Sequence, residues 1–267
     1  MSILYKFWQF FWSVYFVFTI AVIGFVMGYV VSLFFFFLSY LFLPLPLFSR
    51  FFSSLADYIQ CYSIRFLLKI QPWLNCKNNF QSIHGFYDQY KTRKIMFVSN
   101  HRSNLDTFFL ISLIPGLRGL AKSSIYYNIF FAPYMMAAGF VPVKKGSISG
   151  FVEGLRVLKT KILEKNKAAL VFPETTRCEK GFGSIGKFST AVFEVAISSS
   201  SLVVPIYIHK TDEVMGRGDL LIHPFKPIEL KILKAVSAES YKNSAELTEY
   251  VWNTLKAEQL QMSAACN

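Results

Sequence analysis

Apolar and uncharged residues run from Phe7 to Ser49 without a break, bounded by Lys6 and Arg50. A helix needs roughly 20 apolar residues to cross a bilayer, so the stretch suffices for one span with excess or for most of a two-helix hairpin. Gly24 and Gly28 stand four apart, where small residues let helices approach closely. Trp8, Trp12, Tyr15 and Tyr40 lie towards the ends, as interfacial rings do. Pro44 and Pro46 are expected to close the segment. A cleaved signal peptide fits poorly, because the apolar region is far too long and no small-residue cleavage site stands out. Residues 51–74 then alternate Phe51, Leu55, Ile59, Phe66 and Ile70 with Asp57, Arg65 and Lys69. That spacing predicts an amphipathic helix lying along a membrane surface.

From about residue 80 the pattern shortens. KIMFV (94–98), GFVPV (139–143), AALVF (168–172), LVVPIYI (202–208) and IELKIL (228–233) read as strands. Residues 103–113, 124–138, 149–165, 187–197 and 244–261 read as the helices between and after them. Strands alternating with helices predict an α/β domain whose mostly parallel central sheet is flanked by helices, preceded by the hydrophobic membrane-embedded segment. The expected organisation is a membrane-embedded helix or hairpin over 1–49, an amphipathic helix and linker over 50–79, and the α/β domain over 80–267. In such folds reactive side chains gather on loops at strand ends.

Composition narrows the partners. A chain that is 53% hydrophobic and 18% aromatic is too apolar for disorder. Its 28 Lys and Arg against 16 Asp and Glu favour anionic partners. The hydrophobic arm turns that preference towards a membrane or a phosphorylated lipid and away from nucleic acid, for which no motif is present. Cys61, Cys76, Cys178 and Cys266 lack paired spacing and read as free thiols in a reducing compartment. His84, His209 and His223 form no i,i+4 ligand pair, so no metal site is expected.

The polar interruption SNHRSNLDTFF, residues 99–109, carries the candidate chemistry. Ser103 and Asp106 have the spacing of a helix-capping pair. His101 falls on the loop before that helix. Five positions of regular helix would leave His101 and Asp106 about 140° apart, so contact requires a bend at the helix start. A carboxylate on one imidazole nitrogen would fix the tautomer and leave the other nitrogen free to take a proton. Alone, the pair reads more simply as a helix cap beside a solvated loop histidine.

Three further segments change the weighing. NHRSNLD resembles the NHxxxxD signature of the glycerolipid acyltransferases, the family of the lysophosphatidic acid acyltransferases. GFVPVKKG (139–146) resembles that family's second block, FPETTR (172–177) its third and VVPIYI (203–208) its fourth. The resemblance covers roughly residues 80–235. It implies an O-acyltransferase that moves a fatty acyl group from acyl-CoA or acyl carrier protein to the sn-2 hydroxyl of 1-acylglycerol 3-phosphate, in phospholipid biosynthesis. It implies His101 as general base and Asp106 as its orienter. Lys144, Lys145, Glu174, Thr175, Thr176 and Arg177 are implied for the acceptor lipid, with no cofactor beyond the thioester co-substrate. The active site is expected on the cytoplasmic side of a membrane. Two positions depart from the pattern: Lys145 where arginine is usual, preceded by Lys144 where an acid is common, and Thr175 where glycine is usual. Lysine keeps the charge but loses the bidentate fork. Thr175 means that the turn either avoids a positive φ or carries strain. Another lysolipid acceptor, such as a lysophospholipid or lyso-ornithine lipid, therefore stays open, as does a non-catalytic lipid-binding protein, for which a His–Asp pair would have no use.

Overall fold

The computed structural model describes residues 3–23, 33–79, 93–127, 132–137, 139–144, 146–161, 167–178 and 184–265, with Val26, Val30, Val31 and Leu163. Gly24, Gly28, His84, Lys145, Gly181, Gly183 and Cys266 lie outside the described residues.

The apolar arm forms α1 (Ile3–Ile23), α2 (Leu33–Leu41) and α3 (Pro46–Lys69). Only α1, among the described residues, is long and apolar enough to cross a membrane. Its outer face exposes Phe7, Phe10, Val14, Val17 and Phe18. Its inner face is fastened down by polar bonds. Ser13 Oγ accepts from Ile222 N at 2.9 Å, Tyr15 Oη donates to Ile70 O at 3.0 Å, and Thr19 Oγ1 accepts from Gln71 Nε2 at 3.0 Å. Phe16 meets Trp73 edge-on with ring centroids 5.3 Å apart.

Pro46 does not close the arm. It is the first residue of α3, where a missing N–H is harmless and the fixed φ is already helical. The inward face of α3 also differs from expectation: Ala56, Asp57, Gln60, Cys61, Ser63, Ile64 and Leu67 are buried, while Phe51 and Phe66 face outward. The polar members hold the arm to the domain. Asp57 pairs with Arg118 and with Lys167, the latter at 3.2 Å. Arg65 donates to Ser112 O and Leu113 O, both at 2.6 Å.

The α/β domain runs β1 (Asn75–Asn78), β2 (Ile95–Ser99), α4 (Leu105–Ile111), β3 (Arg118–Lys122), a 3-10 turn (Ser123–Tyr127), α5 (Ala132–Ala137), β4 (Val141–Val143), α6 (Ile148–Lys161) and β5 (Ala169–Val171). It continues through α7 (Thr190–Ser198), β6 (Leu202–His209), α8 (Thr211–Met215), β7 (Pro227–Ile232), β8 (Val236–Ser237) and α9 (Ser244–Ala265). The sheet order is β1-β7-β6-β2-β5-β3-β4, with β8 also on β6. Strands β2 to β6 run parallel, whereas β7 and β8 are antiparallel to β6 and β1 follows β7.

Side chains alternate across the sheet, so successive residues feed two cores. Met96, Val98, Val203 and Tyr207 pack under α6, α7 and α9 with Leu158, Phe193 and Val251. Ile95, Phe97, Val204 and Ile206 pack under α4 with Phe109 and Leu110, and this second core also takes Phe16 and Trp73. Burial on both faces explains why these strands are continuous apolar runs.

Two expectations for this part are corrected. The single helix expected over 124–138 is, in its described part, a 3-10 turn over Ser123–Tyr127 and the short α5 over Ala132–Ala137. Strand β3, RGLAK, was not anticipated, since only two of its residues are strongly apolar. Its neighbours specify it: Arg118 N donates to Ala168 O at 3.0 Å, and a Cβ at Gly119 would lie 2.9 Å from Leu170 O.

Candidate active site

The described candidate residues gather beyond the C-terminal ends of parallel strands. His101 follows β2 and Asp106 opens the helix after it, Lys144 follows β4, and Glu174 to Arg177 follow β5. This is the edge where backbone groups no longer paired in the sheet and side chains released from both cores can face one ligand.

The chain bends between β2 and α4 as the contact requires. His101 Nδ1 lies 2.9 Å from Asp106 Oδ2. The same oxygen accepts from Arg102 N at 2.6 Å and Ser103 N at 2.7 Å, and Oδ1 accepts from Thr211 Oγ1 at 2.6 Å. Leu105 N donates to Ser103 Oγ at 3.1 Å, completing the cap. Asp106 is thus both helix cap and histidine partner, and the two readings of its spacing hold together. With a carboxylate at Nδ1, that nitrogen is the donor and Nε2 keeps its lone pair.

His101 is held on every other side. Its N–H donates to Glu174 Oε1 at 2.9 Å, its carbonyl accepts from Cys178 N at 2.9 Å, and its ring stacks on Phe172 with centroids 4.0 Å apart. Glu174 also accepts from Gly186 N at 2.8 Å, so two backbone amides take the carboxylate that the sequence placed beside Arg177. Burial pushes Glu174 above the usual carboxylate range, with the two amide bonds opposing it. Thr175 has φ 60°, so the turn does demand a left-handed residue and is occupied by a β-branched one. The amides of residues 101–103 are all engaged by the carboxylates of Glu174 and Asp106.

Several supports of the histidine carry no local sequence signal. Asn100 bridges to β6, donating to Ile208 O and accepting from Ile208 N, both at 2.8 Å. Arg102 pairs with buried Asp212 at 2.6 Å, and Ser103 Oγ donates to Met215 O. These bonds lock the histidine loop to the β6–α8 connection. Cys178 lies close by, but burial pushes its thiol up to about 11, so it is not a thiolate near neutral pH.

His101 forms part of the wall of a cavity of about 700 Å³. Leu120, Ile125, Met135, Phe140, Phe151 and Leu170 supply apolar wall. Thr175, Thr176, Arg177 and Lys144 line it too, joined by Lys122 and Arg217, which the sequence did not single out. Four cations face this space and no carboxylate is among its described lining residues. Apolar walls with a cationic portion suit a ligand that has a hydrocarbon part and an anionic part.

An α/β domain with a histidine–aspartate pair beside such a cavity has a geometry suited to proton transfer next to an amphiphilic ligand. Residues 79–209 match the family described as Acyltransferase, and the relatives that the chain resembles are glycerolipid acyltransferases. It is 24% identical over 154 residues to the 1-acyl-sn-glycerol-3-phosphate acyltransferase of Limnanthes alba, a match covering 57% of this chain and 54% of that protein. It is 32% identical over 123 residues to the chloroplastic 1-acyl-sn-glycerol-3-phosphate acyltransferase LPAT1 of Arabidopsis thaliana, covering 46% and 34%. The chain therefore matches about half, or less, of the length of these relatives. Its fold is that of the crystal structure of the 1-acyl-sn-glycerophosphate (LPA) acyltransferase PlsC from Thermotoga maritima, with TM-score 0.73 and 20% identity over 97% of this chain and 98% of that one.

Proposed function

We propose that this chain transfers a fatty acyl group from an acyl thioester to the free sn-2 hydroxyl of 1-acylglycerol 3-phosphate, giving phosphatidic acid. The observation that carries the reading is the His101–Asp106 contact at an apolar cavity lined by four cations and no acid. His101 Nε2 takes the hydroxyl proton as the oxygen attacks the thioester carbonyl. The tetrahedral intermediate collapses, the C–S bond breaks, and the departing sulfur takes that proton back from His101. General-base assistance of this kind is worth about 10²–10⁴-fold. Asp106 holds the ring and offsets the imidazolium charge that develops, and Arg177 with Lys144 draws the acceptor's phosphate. The nucleophile belongs to the substrate, so no enzyme side chain is acylated.

The apolar cavity wall is assigned to an acyl chain, each buried methylene contributing about 0.8 kcal/mol. The arm is assigned to the membrane. Bonds tie α1 to the domain from Ser13 to Thr19, and Tyr5 reaches His223 at 3.2 Å. From Tyr5 to Thr19 is about 21 Å of helix at 1.5 Å per residue. A helix so attached along its flank favours burial in one leaflet, beside the domain, over a free vertical span. Both amphiphiles then reach the site with their tails still in lipid, on the cytoplasmic face in this reading.

The test is a purified full-length preparation in lipid nanodiscs, offered acyl-CoA or acyl carrier protein thioesters with three acceptors: lysophosphatidic acid, lysophosphatidylcholine and monoacylglycerol. Phosphatidic acid as the main product, by mass, supports the proposal. Preferential acylation of either other acceptor overturns it, as does His101→Ala retaining full rate.

A further inference from the structure

Arg217 lines the same cavity as His101 and Arg177, but it lies beyond the last sequence block that resembles the family. It is exposed, and it makes no hydrogen bond or ion pair to another described residue. Arg177 likewise has no such partner. The nearby acids are already engaged: Asp106 by His101, Glu174 by two amides and Asp212 by Arg102. Two arginines thus line one space with no carboxylate among its described lining residues, an arrangement that favours an anion.

The placement of Arg217 is built. Its turn closes by Gly216 N donating to Asp219 Oδ2 at 2.9 Å, with Gly218 at φ 90°. Ser103 Oγ donates to Met215 O at 2.5 Å, joining the start of the turn to the histidine loop. On the far side, Ile222 N donates to Ser13 Oγ at 2.9 Å, and Tyr5 Oη and Gln9 Nε2 lie 3.2 and 3.3 Å from His223 Nδ1. Tyr5, Gln9 and Ser13 recur every four residues along one face of α1. That face meets the segment carrying Arg217.

We propose that Arg217 is a second guanidinium for the acceptor's phosphate monoester, opposite Arg177, and that α1 positions it by gripping residues 222 and 223. The proposal rests on the acyl-transfer reading above and names one further group that selects the acceptor. A planar fork on each side of a phosphate gives directed, charge-assisted bonds that a lysine would supply only as point charge. The apolar arm accordingly shapes the site as well as holding it at the membrane.

The test is steady-state kinetics of the full chain in nanodiscs, varying lysophosphatidic acid and acyl-CoA in turn. Arg217→Gln should raise KM for lysophosphatidic acid about tenfold or more, the loss of one charge-assisted contact, with kcat within about twofold and KM for acyl-CoA unchanged. Arg217→Lys should recover part of that loss. Ser13→Ala should raise the same KM by a smaller factor, without altering KM for the donor. An unchanged acceptor KM in Arg217→Gln, or a rise confined to acyl-CoA, overturns the assignment while wild-type activity stands. A wild-type chain that does not acylate lysophosphatidic acid overturns the functional reading and this role together.

Discussion

Replacing Asp106 by Asn tests the mechanism most directly, because the structure states what the amide would have to do. Three donors converge on Oδ2 and one on Oδ1. An amide can satisfy this only with its oxygen at the crowded position and its NH₂ towards Thr211, whose hydroxyl accepts as readily as it donates. The fold and the Nδ1 tautomer of His101 therefore survive, and charge alone is lost. Unit charges about 4 Å apart at an effective dielectric near 20 attract by about 4 kcal/mol. His101 is 18% exposed, so solvent screens part of this. Stabilisation of the developing imidazolium by roughly 3–4 kcal/mol corresponds to a fall in kcat of about 10²–10³. The assay is thiol release from acyl-CoA at saturating lysophosphatidic acid, with a thermal melt to show the fold intact. Combining Asp106→Asn with Thr211→Val should cost a further 1–3 kcal/mol or so of stability with little additional loss of rate, since the amide then lacks an acceptor. An Asp106→Asn enzyme that melts normally and works within about threefold of wild type would refute the base assignment.

Thr175→Gly should be neutral or stabilising: relief of about 1–2 kcal/mol for a side chain in the left-handed region outweighs the roughly 0.4–1 kcal/mol of added unfolded-state entropy. A lower melting temperature than wild type would contradict it. His209 supplies the pH dependence. Burial first, then Lys210 and Arg102, hold its imidazole below the ordinary 6.5, so the folded chain binds that proton less readily than the unfolded one. Stability from this group is complete above pH about 6.5 and is lost as the pH falls through and below it. His209→Gln should weaken the drop in urea midpoint between pH 7.5 and 5.5, and an identical drop would count against the account.

How much of this could be read from the chain depended on how local each cause was. The parallel strands were visible because burial on both faces leaves unbroken apolar runs such as Val203 and Val204. The histidine loop was visible because cap, base and orienter fall within six residues. Strand β3 was invisible because its position depends on contacts with β5 rather than on its own side chains. Asn100, Thr211 and Asp212 were missed for the same reason: their partners lie more than 100 residues away in sequence. The inward face of α3 was misread because hydrophobic spacing assumes that charges point outward. Asp57 and Arg65 instead carry the ties that bind the arm to the domain.

The distribution of charge separates binding from rate. Asp106, Glu174 and Asp212 are each committed to an internal bond, which leaves four cations and no carboxylate among the cavity's described lining residues. In the proposed reaction, lysophosphatidic acid and phosphatidic acid present the same phosphate to that cavity. Interactions made equally with substrate and product cannot lower the barrier between them, whatever their strength. Arg177, Lys144 and Arg217 should therefore govern KM and the choice of acceptor. Acceleration must come from the group whose charge changes along the reaction, and that is His101 with Asp106. In that reaction the product leaves only when its newly attached chain leaves the apolar wall, where each buried methylene contributes about 0.8 kcal/mol. Turnover then depends on the exit of the product's tail, a step that the cations cannot assist.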